Sequence, residues 1–251
     1  MANRDEIVRF LDERLDVRRV KDKSSNGLQV AGRLEVRKIA VATDAAMAVY
    51  ERAAAEACDM LLVHHGLIWG GIRYVTHRNH AHLKFLLERD LNLYAAHLPL
   101  DMHPEIGNNA LLARELGLAA TRPFGDYHDE KIGIAGELPA PASTAQIAAR
   151  LAARLGGEPK LLAFGPAANR TVAVVSGGGG SAFTEAAESG IDCFVTGEAS
   201  HEIFHAAREG GVNVILLGHY RSETIGVQAL GDEVSDRFGV PAIFIDEPTG
   251  F

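Results

Sequence analysis

Two stretches of this sequence are written to one plan, and a chain that repeats a strand, turn, helix and strand has few ways to pack. KIAVATDAAMAVYERAAAEACDMLLVHHG (38–66) runs beside RTVAVVSGGGGSAFTEAAESGIDCFVTGE (170–198). The strands that follow match more closely: LNLYAAHLPLD (91–101) beside VNVILLGHYRSE (212–223). Each ends in a histidine followed four residues later by a carboxylate, His97 with Asp101 and His219 with Glu223. Short β-rich apolar runs alternate with Ala/Glu/Arg-rich runs of helical period, the pattern of βα units. The expectation is an α/β fold of two similar, interlocked α/β lobes from an internal duplication, with a metal site between them. The reading places the first lobe at 1–124 and the second at 125–251, with 215–251 returning to the shared metal site. Strands are expected at 38–43, 60–63, 91–96, 171–176, 193–196, 212–217 and 241–245. The Gly/Pro-richer stretch 125–166 reads as the crossing between lobes.

With 251 residues, 47% of them hydrophobic, the chain can bury one large core or two smaller ones. A formal charge of −8 argues against a general nucleic-acid binder, which needs clustered Lys and Arg for phosphate contacts. No window approaches ~18 uncharged apolar residues, and the opening MANRDEIVRFLDERLDV is dense in charge, so no membrane span and a cytoplasmic location are expected. Cys58 and Cys193 sit in apolar stretches and read as ordinary buried thiols. Eleven histidines against one tryptophan are conspicuous, and their placement carries the functional argument.

His64 and His65 follow the apolar run MLLV directly, and open α/β sheets hold ligands beyond the carboxyl ends of their strands. At the point where strand gives way to loop, both rings can reach one cavity. Asp101 and Glu223 add anionic ligands able to bridge two divalent cations. With His97 and His219 they make an imidazole-plus-carboxylate set that suits Zn, Fe, Mn or Ni without choosing among them. Glu198 falls at the duplicate position of the His64–His65 pair and reads as a general base or as an anchor for a ligand. Asp44, closing the first strand, reads as a partner for a metal-bound histidine or as a helix cap.

Other motifs compete. His201, Glu202 and His205 spell H-E-x-x-H, the zinc-protease helix motif, for which Glu223 could be a third ligand, but Gly210 and Gly211 end that helix and a buried strand follows where the motif normally has a second helix to carry that ligand. SGGGGS (176–181) reads either as a flexible turn facing the cavity or as a phosphate cradle. His77, His80 and His82 are expected to be solvated in a polar connector, while His103 and His128 carry no spacing signal.

Taken together, SSNGLQVAG (24–32), the strand ending in Asp44, LLVHHGLIWGG (61–71), AAHLPLD (95–101), GNNALLARELGL (107–118), VTGEASH (195–201) and GHYRSE (218–223) resemble the Nif-three-like dinuclear metal-centre family. Many of its members are called GTP cyclohydrolase 1 type 2 homologues. The resemblance spans essentially the whole chain, and HHG with a late GH-x-x-S-E is a specific combination. It implies that His64, His65, Asp101, His219 and Glu223 ligate two divalent metal ions, with Glu223 as the bridge and His97 as a cavity residue. It also implies a homo-oligomer, a toroidal hexamer, in the compact form without the inserted middle domain of longer members. The functional expectation is a hydrolase acting on a nucleotide or other small molecule. In it, hydroxide held by the metal pair attacks, Glu198 or His97 handles protons, and residues 177–180 steer an anionic group. The rivals are a metal chaperone, storage or regulatory role, and metals that only tie the lobes together.

Overall fold

Residues 1–251 are described by a computed structural model. In chain order the elements are β1 (Ala2–Asn3), α1 (Arg4–Leu15), β2 (Gly27–Val30), β3 (Glu35–Val36), β4 (Ile39–Asp44), α2 (Met47–Ala55), β5 (Met60–His65), α3 (His77–Glu88), β6 (Asn92–Ala95) and α4 (Leu98–Asp101). There follow α5 (Asn108–Leu116), β7 (Ala119–Tyr127), β8 (Glu130–Ala142), α6 (Thr144–Leu155), β9 (Lys160–Leu162), β10 (Asn169–Val175), a 3₁₀ turn (Gly179–Ala182), α7 (Phe183–Glu188) and β11 (Cys193–Thr196). The chain closes with α8 (Ile203–Gly210), β12 (Asn213–Leu216), α9 (His219–Ser222), α10 (Thr224–Phe238) and β13 (Ala242–Phe244).

The chain divides into two compact units, residues 1–100 with 226–247, and residues 101–225 with 248–251. In the first, a five-stranded sheet runs β13-β4-β5-β6-β2. Its β13, β4, β5 and β6 are parallel and β2 is antiparallel at the edge. One face carries Ala40, Ala42, Leu61, Val63, Leu93 and Ala95 against Val49, Tyr50 and Ala53 of α2 and Leu86 of α3. This is the two-residue alternation of a strand whose inward positions are all apolar. Gly231 lets α10 approach β4, since a Cβ there would lie 2.6 Å from Val41 Cγ1. Helix α10 also meets α1 through the Phe10–Phe238 ring pair and a two-bonded Arg14–Glu233 ion pair.

The second unit holds a six-stranded sheet of order β7-β8-β10-β11-β12-β9, with β10, β11 and β12 parallel. Its alternation buries both faces. Val172, Val174, Cys193, Val195 and Ile215 meet Leu112 and Leu116 of α5 and Ile147 and Leu151 of α6. Ala173, Val175, Phe194 and Val214 meet Phe183 and Ala186 of α7 and Ile203 and Ala207 of α8.

The duplication is written into both units by the same hydrogen bonds. The second parallel strand of each is preceded by an aspartate that caps the first: Asp59 accepts from the Arg37 amide, and Asp192 from those of Arg170 and Thr171. The third opens on a buried asparagine, and each satisfies three backbone or side-chain groups. Asn92 serves Gly32 N–H and the carbonyls of Arg33 and Asp59, while Asn213 serves Gly165 N–H, Pro166 C=O and Asn169. Register pairing then aligns Asn92 with Met60 and Asn213 with Cys193.

Each expected strand is present; the units divide at 100/101, 225/226 and 247/248, where the sequence reading put the lobes at 1–124 and 125–251 with 215–251 returning to the shared site. Helix α5 decides this, because its Leu112 and Leu116 belong to the second unit's core. The stretch 125–166 forms no crossing; it holds most of the β7–β8 hairpin and all of α6. His77, His80 and His82 lie on α3 instead of a connector, and His82 is buried with its ring 5.3 Å from that of Tyr50. Burial lowers its pKa. Cys58 and Cys193 are buried thiols, as expected, and desolvation pushes them up to about 11 and about 12. No helix is long and apolar enough to cross a membrane.

Candidate functional site

In the first unit the chemistry gathers beyond the carboxyl ends of β4, β5 and β6, where the parallel-sheet rule puts it. His64 and His65 are the last residues of β5, and Asp44, last in β4, is the register partner of His65. Neighbouring side chains at paired positions share a face, and Asp44 Oδ1 lies 2.8 Å from His65 Nδ1. His64 Nδ1 is 2.9 Å from the Ala96 carbonyl, just past β6. His97 Nδ1 is 3.0 Å from both oxygens of Asp22, and its amide donates to Asn26 Oδ1. One ligand atom from each of His64, His65 and His97 lies within 4.8 Å of the other two. The Asp22 side chain is only 3% exposed. Burial alone raises its carboxyl. The hydrogen bond and charge of His97, with donors from Asn26 and Ser24, outweigh that and hold it well below the usual carboxylate range.

In the second unit a parallel arrangement follows β10, β11 and β12. Asp101 is buried; Asn108 Nδ2 and Ser176 Oγ both donate to its Oδ1, at 2.8 and 3.0 Å, and fix the carboxylate plane. His219 opens α9 and Glu223 follows it, so the single helical turn sets His219 Nε2 3.2 Å from Glu223 Oε2. On the other side of the ring, Glu198 Oε1 is 2.9 Å from His219 Nδ1. The Glu223 hydrogen bond raises the His219 pKa to about 9, helped by both carboxylate charges and opposed by burial. Gly177 (φ +58°) makes room for this: a Cβ there would overlap Glu223 Oε1 and lie 3.2 Å from His219 Nε2.

Known proteins resemble this chain along nearly its whole length. The family described as DUF34/NIF3, NGG1p interacting factor 3, matches residues 2–250. The chain belongs to the DUF34/NIF3 family. Within it, the chain is 49% identical over 249 residues to a protein of Pyrococcus horikoshii named GTP cyclohydrolase 1 type 2 homolog, covering 99% of each. It is 47% identical over 244 residues to a protein of the same name from Archaeoglobus fulgidus, covering 97% of this chain and 98% of that one. Among solved structures, TTHA1606 from Thermus thermophilus superposes with a TM-score of 0.91 at 42% identity, covering 100% of both chains.

The donor chemistry of this DUF34/NIF3 chain fits metal ions. His64, His65, His97 and His219 each have Nδ1 at hydrogen-bond distance from a carbonyl or carboxylate oxygen. In a neutral ring an Nδ1–H committed to such an acceptor puts the lone pair on Nε2 and fixes the ring plane, the arrangement of metal-ligating imidazole; His219, whose Nε2 faces Glu223, must give up its proton there to take a metal. Buried histidine, aspartate and glutamate groups could therefore hold metal ions.

Several sequence expectations change in detail. The matched His–acid pairs are offset by one residue. Ala96 and Leu217 are both bonded to the preceding strand, through Val63 O and Thr196 O, which makes Gly218 the counterpart of His97. Glu198 stands behind His219 as its anchor. In the glycine run the Ser176 amide donates to Asn109 Oδ1 and the Gly177 amide to Ser222 Oγ, so these two are committed within the fold. His201 and Glu202 lie exposed in the turn before α8 and His205 exposed on it, with the two rings 6.1 Å apart. Asp22 and Ser176 were not read as partners of His97 and Asp101 because each acts from 75 residues away in the chain; Asn108 stands only seven residues from Asp101, inside a quoted motif.

Proposed function

We propose that the chain is a dinuclear metal-dependent hydrolase in which His64, His65, Asp101, His219 and Glu223 hold two divalent ions, drawn from Zn, Fe, Mn or Ni. The observation that carries this reading is the anchoring of Nδ1 on every candidate imidazole. The chain passes from one unit to the other at 100/101 and returns at 225/226. Asp101 is at the first passage, and Glu223 is two residues before the second.

When bound, such ions supply Lewis acidity and make coordinated water acidic at neutral pH. The rest is done by the chain's own residues. His97 accepts or returns a proton at Nε2, and Asp22 steadies the resulting imidazolium at Nδ1, the division of labour of a histidine–aspartate pair. Asp44 and Glu198 orient His65 and His219; Asn108 and Ser176 fix Asp101; Gly177 leaves space for Glu223. The names of the relatives make nucleotide ring opening one reaction to assay, alongside phosphoester and amide hydrolysis. A cytoplasmic toroidal homohexamer is the assembly that goes with this reading.

The test is metal content and turnover together, on a panel of GTP, phosphoesters and peptides, with wild type and Glu223→Ala. Metal-dependent turnover lost in the variant supports the hydrolase. Stoichiometric metal without turnover on any substrate moves the reading to a metal chaperone, storage or regulatory role.

A further inference from the structure

The loop that follows His65 carries the chain's single tryptophan, and it is fixed at several points. Trp69 Nε1 donates to the Gly66 carbonyl at 2.9 Å, and the Trp69 backbone forms an antiparallel bridge with Ser24. One residue earlier, Gln29 grips both backbone groups of Ile68: its Oε1 accepts the amide at 2.9 Å and its Nε2 donates to the carbonyl at 3.1 Å. The same Nε2 donates to Ser25 C=O, and the Ser25 amide donates to Ile68 C=O. Gly66 is required for this clamp, because a Cβ there would overlap Gln29 Nε2.

So much internal bonding ordinarily serves to bury a ring, yet Trp69 remains 43% exposed. Its N–H is committed to the backbone, so what it offers outward is its π surface. The indole stands edge-on to His97, with centroids 4.9 Å apart, and 6.2 Å from the His65 ring. Beyond it come Gly70 and Gly71, both at positive φ and with no atom within 4 Å of where a Cβ would stand. A large aromatic side chain held rigid, partly exposed, beside reactive imidazoles and next to open space is a stacking platform that loses little further entropy on binding.

We infer that Trp69 is the substrate platform of the histidine site, and that the substrate class is a planar heteroaromatic ring such as a nucleobase, stacked on the indole. The substrate assignment rests on the proposed hydrolase; the stacking itself does not. Stacking is tolerant of base identity, because every base has a π face. A base on Trp69 lies beside His65 and His97 by virtue of the ring contacts above. Aliphatic phosphoesters and peptides gain nothing from it.

The single tryptophan makes the test direct. Reconstituted full-length protein is titrated with GMP, CMP and, as the ringless control, ribose 5-phosphate, following indole fluorescence and heat of binding, with metal content measured on the same sample. Both nucleotides quench and ribose 5-phosphate does not. By calorimetry, Trp69→Leu weakens GMP roughly ten- to hundredfold without changing ribose 5-phosphate, while Trp69→Phe restores most of the difference. Equal affinity for all three compounds in metal-loaded protein overturns the platform and leaves the metal site standing. Nucleotide-specific quenching in protein that takes up no metal keeps the platform and sinks the hydrolase. Absence of quenching, with a Trp69→Leu protein of smaller sedimenting mass than wild type, also overturns it, since the indole is then covered by a second copy of the chain.

Discussion

Gly177→Ala is the substitution that bears most sharply on the geometry around Glu223. Two separable penalties follow from it. Alanine at φ +58° incurs the left-handed-backbone cost of ~1–2 kcal/mol. The added methyl also overlaps Glu223 Oε1 and comes within 2.8 Å of its Cδ, well inside ordinary contact, so the carboxylate must swing away from His219. Two controls divide these terms. Gly211→Ala has the same backbone strain (φ +62°) with nothing near the new methyl, and Gly178→Ala has ordinary backbone, its methyl 3.7 Å from the His219 ring. Urea unfolding of metal-depleted protein is expected to show a loss of ~1–2 kcal/mol for Gly211→Ala, a larger loss for Gly177→Ala and almost none for Gly178→Ala. Chelator competition should show metal affinity falling at least ~10-fold for Gly177→Ala alone, the size typical of disturbing a ligand's support. If Gly177→Ala matches Gly211→Ala in stability and wild type in metal affinity, the account of the glycine turn is refuted.

Four further outcomes follow from the same contacts. Asp44→Ala, which removes the partner of His65 Nδ1, should lower metal affinity ~10–100-fold with the fold intact, read by chelator competition and circular dichroism. Glu198→Ala should do the same through His219, and Glu198→Gln, which still accepts a hydrogen bond, should recover part of it. Asp22→Asn should destabilise metal-depleted protein at neutral pH by ~1–3 kcal/mol. Because the folded Asp22 pKa lies below its unfolded value of 3.8, the wild-type advantage should be complete above that pH and vanish as the pH falls through the folded value. Asn92→Ala and Asn213→Ala each strand buried backbone groups and should each cost at least ~2 kcal/mol in urea unfolding; a cost for one without the other would break the equivalence of the repeats.

The repeat was legible because β4, β5 and β6 and their counterparts β10, β11 and β12 are short apolar runs bounded by turns, which read as strands without help from tertiary structure. The β7–β8 hairpin was not. Its two-residue turn, His128 and Asp129, has both residues at positive φ without the Asn-Gly or Asp-Gly pair that usually marks such a turn. Strand β8 also carries Gly133, Gly136, Pro139 and Pro141, residues that signal loop. Gly133 is needed because a side chain there would overlap Val174 O on the neighbouring strand, and Gly136 because its Cβ would lie 2.9 Å from Ala119 O. The site shows the same division. His64, His65, His97 and His219 announce themselves at strand ends, and Asp44 and Glu198 were legible as their partners from strand position. Asp22, 75 residues from His97, was invisible because only the fold brings it there. Trp69 stood in a quoted motif, but its partial exposure and its clamp by Gln29 are properties of the folded loop.

Metal stoichiometry in wild type and Glu223→Ala, measured by elemental analysis after reconstitution under chelator-buffered metal, tests the central claim most directly. The account predicts two divalent ions per chain in wild type and loss of at least one in the variant, with the folded circular dichroism spectrum retained. No stoichiometric metal in wild type, or two ions kept by Glu223→Ala, would contradict it.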